Sequence, residues 1–171
     1  FKQESLNIGI VGRLVPVKRV DRFINAAALA LGQNPNVEFQ FHIYGAGPLR
    51  AELESLALQH SIKSKINFHG HTTQIHSQIA MLDILLITSD HEGLPMTLLE
   101  SMYLGTPVIC SPVGAIPSVL DNGNYGALVS NISSESFAAA ITYLINNQQQ
   151  AIETAKKAII RVKEKYTSST N

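Results

Sequence analysis

The sequence contains a single cysteine and no tryptophan among its 171 residues. Because Cys110 is alone, no internal disulfide can form, and its place in the apolar run 108–110 predicts a buried thiol on a strand. The chain also lacks an apolar run of transmembrane length and the basic, then apolar, pattern of a signal peptide. We therefore expect a soluble, cytoplasmic chain in a reducing compartment.

The chain also lacks an excess of charge of either sign. Its 13 basic and 13 acidic side chains cancel, so no global field attracts nucleic acid, and we expect no nucleic-acid partner. A hydrophobic content of 45% over 171 residues is enough for one sizeable core. The sequence thus predicts a single domain over residues 1–171.

Short apolar or alternating runs are each followed by turn residues and then by a helical pattern. The predicted strands are 6–11, 37–44, 65–68, 83–88, 107–110 and 125–129. The predicted helices are 20–31, 48–57, 75–81, 95–103, 115–120, 137–145 and 152–166. Strands that alternate with helices favour a parallel sheet covered on both faces. We expect an α/β fold, a Rossmann-like three-layer α/β/α domain with a six-stranded parallel sheet.

Two helical patterns bear on the later argument. The first helix leaves Asp21, Arg22 and Asn25 outside its apolar face. The fourth helix has four apolar residues that recur at helical spacing: Met96, Leu99, Met102 and Tyr103.

The segment 89–111 contains two acids, Glu92 and Glu100, on either side of a loop interrupted by Gly93 and Pro95. Glu92 would lie at the carboxyl end of a strand, and Glu100 about one turn into the following helix. In open parallel sheets ligands bind outside the carboxyl ends of the strands. Both acids are therefore candidates to face a ligand.

Candidate phosphate-binding groups lie at the same edge of the predicted sheet. Arg13 and Lys18 follow a turn at Gly12, and they would either hold a diphosphate or form a solvated basic loop. The fourth helix leaves the N–H groups of residues 96–98 unpaired at its positive end. Glu100 suits hydrogen bonding to a vicinal diol such as a ribose, or it is a surface acid beside a helix dipole.

Other patterns predict no site. The run from Gly45 to Gly47 lacks the third glycine of a dinucleotide fingerprint, so we interpret it as a turn. His69, His71 and His76 have no cysteine or acidic partner at metal spacing, so we expect hydrogen-bonded or solvated histidines and no metal site. The Ser-Asp-His run at 89–91 cannot form a serine triad because neighbouring side chains diverge.

Three segments together resemble a known family. They are GRLVPVKRVDRFI at 12–24, YGAGPLRAEL at 44–53 and the whole of 89–129, in which Glu92 and Glu100 form an E-x7-E element followed by x-x-G-x-P-V-I. With these motifs in this order, the chain resembles the C-terminal, donor-binding half of group 1 (family 4) retaining glycosyltransferases of the GT-B architecture. The resemblance covers nearly the whole chain.

The resemblance implies a role for each motif residue. Arg13 and Lys18 would hold the donor diphosphate and Glu92 the donor sugar hydroxyls, and these three form the implied catalytic set. Glu100 would bind the nucleotide ribose, the loop from Gly70 to Thr72 would approach the base, and the loop after Glu92 would meet phosphate and sugar. The implied substrate-binding residues are Gly12, Gly70, His71, Thr72, Gly93, Leu94, Pro95, Met96, Thr97 and Glu100.

The implied reaction transfers a sugar from a nucleoside diphosphate sugar to an acceptor hydroxyl with retention, in polysaccharide or glycoconjugate synthesis. The nucleotide sugar is a substrate, and neither a cofactor nor a metal is expected. Family members bind an acceptor glycan or lipid-linked sugar with an N-terminal domain that is not in this chain, so the isolated domain is expected to be inactive or weakly active. Peripheral association with the inner face of the membrane is compatible with the full-length protein.

One motif departs from the family, and two other functions stay open. The family often has G-G-x-P-E where this chain has Gly-Ala-Ile-Pro-Ser at 114–118, so Ser118 receives no role. A non-hydrolysing nucleotide-sugar epimerase shares the architecture and the nucleotide pocket. A non-catalytic nucleotide-sugar binding module is the alternative from a different functional class.

Overall fold

The computed structural model describes residues 4–167, which contain one six-stranded sheet. Every pair of neighbouring strands is parallel, and the strand order is β3-β2-β1-β4-β5-β6. The strands are β1 (Leu6–Val11), β2 (Phe39–Tyr44), β3 (Ile66–Gly70), β4 (Ile84–Ile87), β5 (Val108–Cys110) and β6 (Ala127–Leu128). The predicted six-stranded parallel sheet is confirmed.

Within residues 4–167, seven α-helices connect or follow the strands. They are α1 (Val20–Gln33), α2 (Arg50–Gln59), α3 (Ile75–Met81), α4 (Met96–Leu104), α5 (Ile116–Val119), α6 (Ser134–Asn146) and α7 (Gln148–Lys165). Local chemistry sets several of their ends. The Ser133 hydroxyl accepts a hydrogen bond from the Ser136 N–H at the start of α6, and Gly105 ends α4 in the left-handed conformation at φ 74°. Among residues 4–167, no helix is both long and apolar enough to cross a membrane.

Two hydrophobic clusters cover the two faces of the sheet. The first includes side chains of α1, α2 and α6, and the second includes side chains of α4, α5 and α7. Within β4, Leu86 belongs to the first cluster, whereas its neighbours Leu85 and Ile87 belong to the second. This alternation between two buried faces explains why β4 is a continuous apolar run, and it confirms the three-layer α/β/α arrangement.

Several element boundaries differ from the sequence prediction. Strand β2 begins at Phe39 rather than residue 37, and β6 shrinks to Ala127–Leu128. Helix α2 begins at Arg50, because the preceding turn is bonded elsewhere: the Leu49 N–H donates to the Leu14 carbonyl at 3.2 Å. These differences arise from contacts between distant segments, which local patterns do not encode.

Helix α4 buries only two of the four apolar residues that recur along it in the sequence. Leu99 and Met102 are buried, but Met96 and Tyr103 are 61% and 52% exposed, and Leu98 takes the inward position instead. Met96 stands at the mouth of a cleft, and Tyr103 lies beneath the Lys163 ammonium of α7 at 5.6 Å from the ring centroid. The helix therefore exposes Met96 at the cleft and Tyr103 beside α7, while the face between them packs on the core.

The strand order reverses between β1 and β4. From β1 it proceeds outward to β2 and β3, and from β4 it proceeds outward on the other side to β5 and β6. The connections leaving β1 and β4 therefore diverge, which leaves a crevice above their carboxyl ends. Residues 12–19 and 88–95 form the two sides of that crevice.

Candidate functional site

A cleft occupies the crevice above β1 and β4. The loop after β1, the loop after β4 and the first turn of α4 all contribute to it. The polar, glycine and proline residues that line it are Gly12, Lys18, Tyr44, Thr88, Ser89, Glu92, Pro95 and Thr97, with Met96 at its edge. Of the predicted catalytic residues, Lys18 and Glu92 line this cleft.

Lys18 and Glu92 meet directly across the cleft. The Lys18 Nζ donates to the Glu92 Oε1 at 2.7 Å, and the Ser89 hydroxyl donates to the same oxygen at 2.8 Å. The Glu92 side chain is only 9% exposed, whereas that of Lys18 is 31% exposed. A mostly buried carboxylate that accepts two hydrogen bonds is fixed in position. The second carboxylate oxygen of Glu92 and the remaining N–H donors of Lys18 are the groups that a ligand in the cleft can contact first.

Gly12, which lines the cleft, packs backbone to backbone against Gly45. The Gly12 N–H donates to the Tyr44 carbonyl at 3.0 Å, and both glycines have positive φ, 153° and 147°. A Cβ atom on Gly45 would lie 1.8 Å from the Gly12 carbonyl oxygen. Only glycine fits there, so the segment interpreted as a turn also determines how closely the loops after β1 and β2 approach.

Arg13 lies beside the cleft rather than in it. It is exposed and lines an adjoining cavity together with His71 and Thr72, and Gly12 borders both cavities. Within residues 4–167, the Arg13 guanidinium makes no hydrogen bond or ion pair. Gly70 lies at φ 72°, and its carbonyl accepts the Gly45 N–H at 2.8 Å. The predicted base-side loop and Arg13 thus share one cavity next to the Lys18–Glu92 pair.

The start of α4 offers fewer N–H groups than its sequence predicts. Pro95 occupies the N-cap position, and its carbonyl accepts the Leu98 N–H at 3.1 Å. The N–H groups of Met96 and Thr97 have no partner among the described residues. The prediction of three unpaired N–H groups is therefore wrong for Leu98. The N–H groups of Met96 and Thr97 remain to bind an anion at the positive end of the helix.

The loop between Glu92 and α4 rests on a glycine that the sequence did not single out. A Cβ atom on Gly114 would lie 1.9 Å from the Glu92 carbonyl oxygen, and Gly114 has a φ of 57°. The Ala115 N–H donates to the Gly93 carbonyl at 3.0 Å. Leu94 remains 47% exposed at the tip of this loop. The Gly114 motif therefore supports the loop that carries Glu92.

Glu100 lies on α4, away from the two cavities. Its carboxylate is 3.5 Å from the His76 Nε2, its side chain is 29% exposed, and among the described residues it lines neither the cleft nor the Arg13 cavity. The structure therefore does not bring Glu100 into contact with Lys18 or Glu92.

A stack of rings lies on the polar face of β2 and β3. The Tyr44 and His69 ring centroids are 4.4 Å apart, and the His42 Nδ1 is 2.9 Å from the His69 Nε2. Burial, together with the nearby His69, lowers the pKa of His42 to about 4, and burial also lowers the pKa of His69. Among residues 4–167, no group of three or more His, Cys, Asp or Glu side chains is arranged to hold a metal ion.

Arg22 is a buried residue of α1. The sequence pattern placed it outside the apolar face of the helix, yet it is only 6% exposed, and its guanidinium reaches the carbonyl of Thr88 and the carboxylate of Asp90. No local signal distinguishes this arginine from a solvated one. Its partners lie 66 and 68 residues away, so only the tertiary fold reveals the contact.

Comparison with known proteins identifies the family. The sequence profile described as "Glycosyl transferases group 1" matches residues 1–164. The poly(ribitol-phosphate) α-N-acetylglucosaminyltransferase of Staphylococcus aureus (strain COL) is 29% identical over 170 residues, which are 98% of this chain and 34% of that protein. This chain therefore spans about a third of the length of that relative.

Solved structures agree in fold. A mutant of TarM from S. aureus, crystallised with fondaparinux, α-GlcNAc-glycerol and UDP, superposes with a TM-score of 0.87 at 26% identity, over 98% of this chain and 34% of that one. The C-terminal domain of the group 1 glycosyl transferase LpcC from Francisella tularensis gives 0.85 at 28% identity, over 95% of this chain and 86% of that one. The fold is that of a C-terminal domain of GT-B glycosyltransferases, and the chain belongs to the group 1 glycosyltransferase family.

Proposed function

We propose that this chain binds the nucleoside diphosphate sugar donor of a retaining glycosyltransferase that acts in polysaccharide or glycoconjugate synthesis. The observation that carries the proposal is the Lys18–Glu92 pair, which lies across the cleft where the strand order reverses and beside the start of α4. A cation, a carboxylate and unpaired helix N–H groups in one cleft match the three chemical parts of such a donor.

Each part of the donor has a partner in this proposal. Lys18 and the Met96 and Thr97 N–H groups hold the diphosphate, with Arg13 approaching from the adjoining cavity. Glu92 accepts hydrogen bonds from sugar hydroxyls once Lys18 turns to the phosphates. Glu100 takes the ribose, and the loop 70–72 takes the base. For Glu100 to do so, the nucleotide must extend from the cleft along the exposed side of α4.

Charge develops on the leaving diphosphate as the bond to the anomeric carbon breaks. Groups that bind this charge more tightly in the transition state than in the ground state lower the barrier. Lys18 carries a permanent charge, and the N–H groups are fixed by the helix, so little reorganisation is needed when the charge appears. In this scheme no metal and no cofactor takes part.

The relatives suggest which donor to test first. TarM was crystallised with UDP, and it is 26% identical to this chain over 98% of its length. We infer that the donor carries uridine diphosphate. The remainder of a longer protein would hold the acceptor, a glycan or lipid-linked sugar, and residues 1–171 alone would bind donor with little or no turnover. No specific observation favours the nucleotide-sugar epimerase.

Isothermal titration calorimetry of this chain with UDP-, GDP- and ADP-sugars tests the proposal. We expect saturable binding, with a UDP-sugar binding most tightly, and a Glu100→Ala variant that binds roughly 1.5 to 3 kcal/mol more weakly if one charged hydrogen bond is lost. A chain that binds none of these nucleotides would contradict donor binding. A full-length protein that binds donor but transfers no sugar to any acceptor would favour the non-catalytic module.

A further inference from the structure

Arg22 joins the two loops that carry Lys18 and Glu92, although it belongs to neither. From the first turn of α1, its Nη1 atom donates to the Thr88 carbonyl at 2.7 Å and to the Asp90 Oδ1 at 3.0 Å. The Arg22 side chain is 7% exposed, so it is a buried guanidinium. Buried arginine is retained only where its donors are satisfied, and both of these acceptors lie on the loop after β4.

Thr88 and Asp90 complete the connection to the loop after β1. The fully buried Thr88 hydroxyl lies 3.0 Å from the Lys18 carbonyl and 2.9 Å from the Arg19 carbonyl, to which it donates. The Asp90 N–H donates to the Val17 carbonyl at 3.0 Å. The two loops are thus bonded side by side over three consecutive residues, 17–19.

The backbone next to Lys18 is held in an unfavourable conformation. Arg19 lies in the left-handed region at φ 51° and ψ 49°, which a residue with a Cβ atom seldom adopts. Its guanidinium contacts Asp21 at 3.0 Å and Asp90 at 3.3 Å. Such a conformation persists only where the surroundings hold it, and here the Thr88 hydroxyl holds the Arg19 carbonyl next to Lys18.

The charge state of Asp90 fits this arrangement. Partial desolvation opposes its ionisation, but hydrogen bonds from Arg22 and Arg19 outweigh that effect and hold the pKa of the carboxyl below its usual value. Asp90 therefore stays ionised and keeps its attraction for both guanidinium groups through the neutral pH range.

We propose that Arg22 and Asp90, with Thr88 between them, are positioning residues that hold the loops after β1 and β4 together so that Lys18 and Glu92 face the same donor. We name these three residues the loop clamp. Neither Arg22 nor Asp90 lines the cleft, so they act through the residues that do. The binding part of this proposal rests on the proposed donor function.

The first test needs no nucleotide. Hydrogen exchange of the Asp90 amide, followed by NMR, reports the bond to Val17. Arg22→Met removes the donor at similar volume, and we expect exchange about tenfold faster, as for one lost charged hydrogen bond. Arg22→Lys should restore part of the protection, because one nitrogen makes both contacts. Asp90 exchange at the wild-type rate in Arg22→Met would overturn the clamp.

Asp21→Asn is the matched control. Asp21 also pairs with Arg19, but that contact stays within one segment and does not cross to the loop after β4. Like Asp90→Asn, the Asp21→Asn substitution removes one negative charge. We expect Asp21→Asn to leave Asp90 exchange within about twofold of wild type, because a surface ion pair contributes little. Equal acceleration in Asp21→Asn and Arg22→Met would mean general loosening of the region and would overturn the clamp.

The second test measures UDP affinity by calorimetry in a double-mutant cycle. Removing a negative charge near an anion site, taken alone, strengthens anion binding. We nevertheless expect Asp90→Asn to weaken UDP binding about tenfold, because Lys18 is then misplaced. Lys18→Ala should then cost less affinity in the Asp90→Asn background than in wild type. A structural defect that only lowers the melting temperature would not produce this coupling.

The outcomes separate the two proposals. If wild type binds UDP and Asp90→Asn binds it as tightly as Asp21→Asn does, the clamp is overturned and donor binding stands. If wild type binds no UDP-, GDP- or ADP-sugar, donor binding is overturned, and the exchange measurement still decides whether the clamp holds the loops together.

Discussion

Two neighbouring parts of the molecule are held together by different interactions. Beside the cleft, at the carboxyl ends of β1, β2 and β3, Gly12, Gly45 and Gly70 form a glycine wall, joined by backbone hydrogen bonds such as the 2.8 Å bond from the Gly45 N–H to the Gly70 carbonyl. Across the cleft, Lys18 and Glu92 form a charged wall through a 2.7 Å ion pair. The glycine wall can move only if the backbone refolds, whereas the charged wall can exchange its partners with a charged ligand.

The largest expected effect comes from breaking the glycine wall. Gly45→Ala places a Cβ atom 1.8 Å from the Gly12 carbonyl oxygen, at a φ of 147° that alanine disfavours. We expect the free energy of unfolding in urea to fall by roughly 3 kcal/mol, from overlap and strain together. Donor binding should weaken as well, because the loop of Gly12 must shift.

Gly32→Ala is the control for this substitution. Gly32 lies in α1, and nothing is within 4 Å of the place where its Cβ atom would stand. Alanine should therefore stabilise the protein by roughly 0.5 to 1 kcal/mol through its better helix propensity. If the two variants had similar stability, the close backbone approach would not hold the glycine wall together.

A pH titration of the free energy of unfolding tests the ring stack on β2 and β3, which lies below the glycine wall. Burial lowers the pKa of His42 in this stack from 6.5 to about 4, so the unfolded chain takes up the proton first as the pH falls. The free energy of unfolding should be constant above pH 6.5 and then decrease by about 1 to 2 kcal/mol towards pH 4, a figure reduced because the ring is partly exposed.

Urea denaturation at several pH values, with His42→Gln beside wild type, isolates this contribution. The variant should lose less stability than wild type between pH 6.5 and 4, because it has no imidazole to protonate. Parallel curves for the two proteins would show that His42 is not protonated differently in the folded and unfolded chains.

The smallest expected effect is on the thiol labelling of Cys110, which lies in β5 beneath the charged wall. The thiol is fully buried, and burial, with Glu92 adding to it, raises its pKa. We expect a thiol reagent such as DTNB to leave the folded chain unlabelled and to label it completely in urea. Rapid labelling of the folded chain would mean that the charged wall opens often enough to expose β5.

The sequence predicted the parts of this molecule that local patterns encode. The alternation of apolar runs and helical patterns was enough for a six-stranded parallel sheet, because β4 can be buried on both faces only if helices cover both. The motifs after β1 and β4 also led to the cleft that contains Lys18 and Glu92. The family followed from the order of these motifs, and the profile match over residues 1–164 confirms it.

What the sequence missed depends on contacts between distant segments. Arg22 was placed only outside the apolar face of α1, because the acceptors that bury it lie 66 and 68 residues away. Gly114 supports the Glu92 loop through a close approach that no spacing rule contains. Tyr103 recurs with the apolar residues of α4, yet it is 52% exposed beneath the Lys163 ammonium. In each case the role depends on contacts that only the tertiary structure provides.

The most direct test of the account is UDP affinity by calorimetry in wild type, Lys18→Ala and Lys163→Ala. Lys163 is the control, because it lies over the Tyr103 ring on α4, outside the residues that line the cleft. We predict saturable UDP binding that Lys18→Ala weakens by about 10- to 100-fold, as for one lost charged hydrogen bond, and that Lys163→Ala leaves unchanged. The same affinity in all three proteins would contradict a diphosphate site at the Lys18–Glu92 pair.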